Sequence, residues 1–133
     1  MTRVLVLLIG VSLTGCAALP APTGPVTGRW GGEHVGLTLD ATGGTVEYDC
    51  AAGRIDEPIV PDTNGGFNAG GSHTPNTGGP ERVGEPRPNY PARYTGTVSG
   101  DTMRLQVTLP GRDLEMPPLV LRRGVEPQLT RCL

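Results

Sequence analysis

The residues able to do chemistry are few. The chain has three cysteines, Cys16, Cys50 and Cys132, and two histidines, His34 and His73. Thirteen carboxylates face eleven basic residues, every one of them arginine. Glu33-His34 as an acid–base pair would need a third group and a pocket. Neighbours on a strand point to opposite faces, so the two are expected not to cooperate. Glu47 and Asp49 share a strand face within reach of Arg54 or Arg104, which reads as a solvated pair worth little. Ser72-His73 is not part of a Gly-x-Ser-x-Gly elbow and has no evident orienting carboxylate. Gly65-Gly66, Gly70-Gly71 and Gly78-Gly79 are not followed by Lys-Ser or Lys-Thr, so no phosphate loop is formed. Two Cys and two His scattered without Cys-x-x-Cys or His-x-x-x-His spacing make a poor metal site. The expectation is a protein with no catalytic residues, no metal and no cofactor.

Binding is a better prospect than catalysis. Trp30, in Gly28-Arg29-Trp30-Gly31-Gly32-Glu33-His34, offers a stacking surface beside His34. The simpler role for a Trp at the start of a first strand is to plug the base of a small barrel. Phe67, His73, Arg82, Arg87 and Tyr90 fall in a Gly- and Pro-rich stretch, Pro61 to Pro91, and include the residue types that favour contact anchors.

The elements that would position these residues begin with a leader. Arg3 is followed by Val4-Leu5-Val6-Leu7-Leu8-Ile9-Gly10-Val11. That run is well short of the roughly 20 apolar residues of a spanning helix, and with a small-residue cleavage zone it has the secretory pattern. Leu13-Thr14-Gly15-Cys16 resembles the bacterial lipobox. The resemblance implies cleavage before Cys16, a diacylglycerol thioether on its sulfur and an acyl group (palmitate-type) on the new amino terminus. Two chains anchor stably where one is marginal. Residues 1–15 are then the signal peptide and 16–25 a lipidated, Pro-rich tether. Residues 26–133 form the domain, on the envelope face turned to the periplasm or exterior, at the outer membrane in a Gram-negative cell.

Cys50 and Cys132 remain. In an exported chain such a pair is most simply a disulfide, closing a loop of about 80 residues worth roughly 4–5 kcal/mol in the chain-entropy account. A thiolate metal site using His34 or His73 is the alternative. Without Arg3 the mature chain carries ten Arg against thirteen Asp and Glu. There is no basic patch, so nucleic acid is not an expected partner.

The mature chain lacks helical periodicity and shows alternation instead. Val35, Leu37 and Leu39 share a face, then Asp40 to Gly44 turns the chain, and Val46, Tyr48 and Cys50 share the next face. This predicts a hairpin with Cys50 as a buried half-cystine. Residues 92–98 and 102–109 alternate around a Ser99-Gly100-Asp101 turn. Pro117 to Arg122 is a further strand, and Arg54 to Val60 and Gln128 to Leu133 are two more. The fold class is all-β, an antiparallel barrel or sandwich of about seven to eight strands. Pro61–Pro91, with thirteen Gly or Pro among its thirty-one residues, is predicted as a long loop.

WGGEHVGL, EYDCAAGRI, GGFNAGGS with the later GGP, YTGTVSGDTMRLQV and the closing RCL together resemble a group of small bacterial lipoproteins without an assigned activity. That resemblance implies the anchor, a Cys50–Cys132 bridge and a barrel-like fold, and brings no catalytic residues. Tyr48-Asp49-Cys50 and Cys132 also resemble the outline of membrane-bound lysozyme inhibitors, although the inhibitory Ser-Gly-x-x-Tyr loop does not appear. The functional expectation is a non-enzymatic, lipid-anchored envelope module that presents the 61–91 loop to an envelope protein or cell-wall component. Inhibition of lysozyme-type enzymes and binding of a small ligand in the barrel are the alternatives.

Overall fold

The computed structural model describes residues 10, 15, 23–76, 83–112 and 114–132. Among them there is no helix, and so no helix long and apolar enough to cross a membrane. Nine strands appear: β1 Gly28–Gly32, β2 Val35–Asp40, β3 Gly43–Tyr48, β4 Ala51–Ile55, β5 Gly66–Pro75, β6 Tyr90–Ser99, β7 Thr102–Leu109, β8 Leu114–Glu115 and β9 Leu119–Arg123. Every pairing is antiparallel. The order runs β6-β5-β4-β3-β2-β1-β9-β7, and β6 pairs with β7 to close the ring. The protein is thus an eight-strand antiparallel β-barrel, which leaves no open edge. The short β8 pairs with the far end of β7, while β9 pairs with its near end. Together β8 and β9 act as one wall strand broken at Met116-Pro117-Pro118. Proline has no N–H to give a ladder, and Gln106 Nε2 ties down the break by donating to the Met116 carbonyl.

The interior follows the alternation. Val35, Leu37 and Leu39 of β2, Met103, Leu105, Val107 and Leu109 of β7, and Leu121 of β9 are all buried. One end of the barrel is sealed. Trp30 is 1% exposed and, with the buried Val26 and Ile59, closes the base. Arg123 lies 4.3 Å over the Trp30 ring. It also donates to the Thr27 carbonyl at 2.8 Å and to Asp101 at 3.1 Å. Trp30 is therefore a plug and not a stacking surface.

Three expectations need correction. First, Pro61–Pro91 is not a loop throughout, since residues 66–75 are strand and 83–89 lie outside any strand. Its centre is β5, ten residues paired to β4 on one side and β6 on the other, and Tyr90-Pro91 already belong to β6. Phe67, Ala69 and His73 alternate inward along β5. Second, the segment expected as a strand from Arg54 to Val60 ends at Ile55, and Gln128 to Leu133 contributes only a bridge from Gln128 to Glu33. Third, Cys50 is exposed, because it sits in the bend between β3 and β4 and not within a strand.

The last of these is explained by the C-terminal strap. After β9, residues 125–132 run back across the outside of the β1–β2 hairpin. His34 N–H donates to the Gln128 carbonyl at 2.8 Å, and Gln128 N–H to Gly32 at 3.0 Å. Glycine gives the strap its track: a β-carbon on Gly31 would collide with the Val125 carbonyl, and one on Gly36 would lie 2.9 Å from Pro127. The strap ends in the Cys50–Cys132 disulfide, with Cα atoms 5.3 Å apart.

Candidate functional site at the barrel mouth

The end opposite Trp30 is open. The β1–β2 turn, the β3–β4 bend, the end of β5 and the break between β8 and β9 surround a cavity of about 720 Å³. One wall is apolar, from Met116, Pro117, Pro118 and Leu119. The opposite side carries Tyr48 and His73, with Glu33, His34 and Asp49 at the rim. The volume is in the range of small-molecule sites, about 300–1,000 Å³.

Tyr48 ends β3 on its inward face and His73 sits opposite Gly53 on β5. Their rings are 5.4 Å apart and tilted by 60°. His73 is 5% exposed, yet its Nδ1 is buried with no hydrogen-bond partner. The Tyr48 hydroxyl donates toward that of Tyr94, which in turn donates to the Ser72 carbonyl at 2.7 Å. Buried polar groups are normally satisfied, so the unmet His73 Nδ1 stands out. Burial holds the His73 imidazole below its ordinary value, so it is neutral at pH 7. Burial first, then the Tyr94 hydroxyl, raises the Tyr48 phenol far above its usual range. Tyr94 is likewise pushed up to about 12 by burial.

The rim is built differently. His34 occupies the β1–β2 turn at φ 66°, the only non-glycine at positive φ among the described residues. The turn changes the expectation for Glu33 and His34. They are not on opposite faces of a strand: His34 Nε2 is 3.6 Å from Glu33 and Nδ1 is 2.6 Å from Asp49 Oδ2. Asp49 Oδ1 accepts the Thr130 N–H at 2.7 Å. Both Asp49 oxygens are engaged in joining the turn to the strap. The group can hold a rim in place. Among the described residues no cluster of His, Cys, Asp and Glu is placed to hold a metal ion.

Of the residues singled out by sequence, His34 and His73 meet at this cavity. Phe67 is buried inside the barrel and Trp30 at its base, and neither lines this cavity. Tyr90 is half-buried beneath Arg112, whose guanidinium stands 3.7 Å over its ring. Arg87 lines a smaller outer hollow of about 300 Å³ with Glu47, Thr74 and Arg131. Arg82 and Cys16 lie outside the described residues. Sequence reasoning passed over Tyr48 and the Met116–Pro118 break as site residues. The signal was present in Pro117-Pro118, since paired prolines inside a strand mark an interruption. Comparison with protein-family models, curated proteins and solved structures gives no match to this chain, and the site alone carries the functional reading.

Proposed function

We propose that this is a non-enzymatic envelope protein, anchored by lipid at Cys16, whose barrel mouth takes up a small ligand. The observation that carries the reading is a cavity of about 720 Å³ at the barrel mouth, with an apolar wall from Met116 to Leu119 and with Tyr48 and His73 opposite it. Presentation of a 61–91 loop to a partner is no longer the favoured mode, since the centre of that stretch is barrel wall.

The test uses residues 17–133, oxidised, which retain every strand and the strap. Nile red, an uncharged solvent-sensitive dye, should bind saturably at one per chain. Leu119→Trp, which fills the cavity from its apolar wall, should abolish the signal while leaving cooperative unfolding intact. Absence of saturable binding by the unsubstituted domain would overturn the reading.

A second reading, inhibition of lysozyme-type enzymes, is favoured by one observation: a barrel closed by a bridge from Tyr48-Asp49-Cys50 to the penultimate residue. Lack of inhibition at micromolar domain would dismiss it.

A further inference from the structure

Resting on the ligand-binding reading, we infer that the Cys50–Cys132 bridge is a redox latch on the mouth: a dithiol reductant opens it, the strap comes away, and the rim that the strap holds slackens. The latch is accessible. Both half-cystines are exposed, and Cys50 itself lines the cavity. From Gln128 onward the strap is fastened at the mouth. Glu33 bridges to Gln128, and the His34 N–H donates to the Gln128 carbonyl at 2.8 Å. Asp49 accepts the Thr130 N–H at 2.7 Å, and Cys50 is bonded to Cys132. All four of these partners of the strap, Glu33, His34, Asp49 and Cys50, line the cavity.

The ring itself does not depend on the strap. It closes through the β6–β7 and β1–β9 pairings, which lie wholly before Gly124. Within residues 125–132, Pro127 and Leu129 are half-buried and the others exposed. A segment with little buried apolar surface and exposed backbone hydrogen bonds is the first to open, so cutting its covalent end releases the strap and leaves the barrel. The chemistry is thiol–disulfide exchange. A thiolate of the dithiol attacks one sulfur of the bridge, forms a mixed disulfide and expels the other sulfur as a thiolate, which takes up a proton. The second thiol of the reductant then displaces the remaining protein sulfur. The protein gains two electrons and two protons, and the dithiol becomes a disulfide. Without the strap, the β1–β2 turn and the β3–β4 bend lose their common tie. The fraction of molecules with a formed mouth falls, and apparent affinity falls with it.

The experiment compares residues 17–133 in three forms: oxidised, treated with dithiothreitol without denaturant, and carrying Cys50→Ser with Cys132→Ser. Alkylation and intact mass should find both thiols free after dithiothreitol. In the reduced protein and the double variant, amide exchange at His34, Gln128 and Thr130 should become fast while β6 and β7 stay protected. Urea unfolding should remain a single transition with a lower midpoint, and Nile red should bind about ten-fold more weakly. Re-oxidation should restore protection and affinity together. A bridge that dithiothreitol does not open in the folded domain would overturn the latch, and so would protection and dye affinity that stay the same once it is open. Loss of cooperative unfolding on reduction would overturn it too, since the bridge would then be a staple of the whole barrel. Failure of the oxidised domain to bind Nile red would instead bring down the ligand-binding reading, and the gating with it, while amide exchange would still read release of the strap independently.

Discussion

The Tyr94 hydroxyl occupies the space in which a side chain on Gly53 would stand, and from there it donates to the Ser72 carbonyl at 2.7 Å. The glycine on β4 and the tyrosine on β6 thus fit together across the barrel beneath the mouth. Gly53→Ala should force one of them to move and cost about 1–3 kcal/mol, the usual range for overpacking. Tyr94→Phe removes the colliding oxygen, so the double variant should be more stable than the two single costs predict. Urea unfolding of all four proteins measures that coupling. Strict additivity would show that the two positions are not in conflict.

Asp49 ties three elements together, since it accepts from His34 and from Thr130 while standing beside Cys50. Asp49→Ala should destabilise the domain by about 1–2 kcal/mol and speed amide exchange at Thr130. His34→Ala should cost less, because His34 is exposed and a surface pair contributes about 0–1 kcal/mol. Hydrogen exchange read residue by residue checks both. Unchanged protection at Thr130 in Asp49→Ala would mean that the bridge alone holds the strap.

Acid should weaken the domain through His73. Its folded pKa is depressed by burial, whereas in the unfolded chain it returns to about 6.5. Below that value the unfolded state binds the extra proton, so stability falls as pH drops beneath about 6.5 and is fully retained above it. His73→Phe should flatten this part of the profile. Denaturant midpoints at steps from pH 8 to 5, for both proteins, decide the matter. Parallel profiles would assign the acid sensitivity elsewhere.

Removing Gly66–Pro75 should abolish cooperative folding, because β5 supplies ladder hydrogen bonds to both β4 and β6. Circular dichroism and thermal melts of the deletion variant give the answer. A variant that still melts cooperatively would require the ring to close without its fifth strand.

How much of this could be read in advance depends on how strongly each strand announces its inward face. β7 alternates Met103, Leu105, Val107 and Leu109 against polar neighbours, and its hairpin with β6 was legible down to the Ser99-Gly100-Asp101 turn. β5 was not. Its inward positions include Ala69 and Gly71, and its outward ones include Gly66 and Gly70, so small residues at both parities erase the period-2 contrast while pairing on both sides still fixes the strand. Glycine hid another feature as well. Gly31 and Gly36 are the track of the strap. Nothing local announces that, because the partner lies some ninety residues away. The His34–Asp49 contact was hidden for a related reason: it depends on a turn with a positive φ, and a strand assignment reverses the geometry.

The chain enters the barrel at the sealed end, where Val26 N–H donates to the Ile59 carbonyl at 2.8 Å, and the cavity opens at the other pole. With the proposed lipid on Cys16, the ten residues from there to Pro25 span at most roughly 33–36 Å. The point where the chain enters and the cavity therefore lie at opposite poles of the barrel, so an anchor at Cys16 would leave the mouth clear of its own tether's entry point.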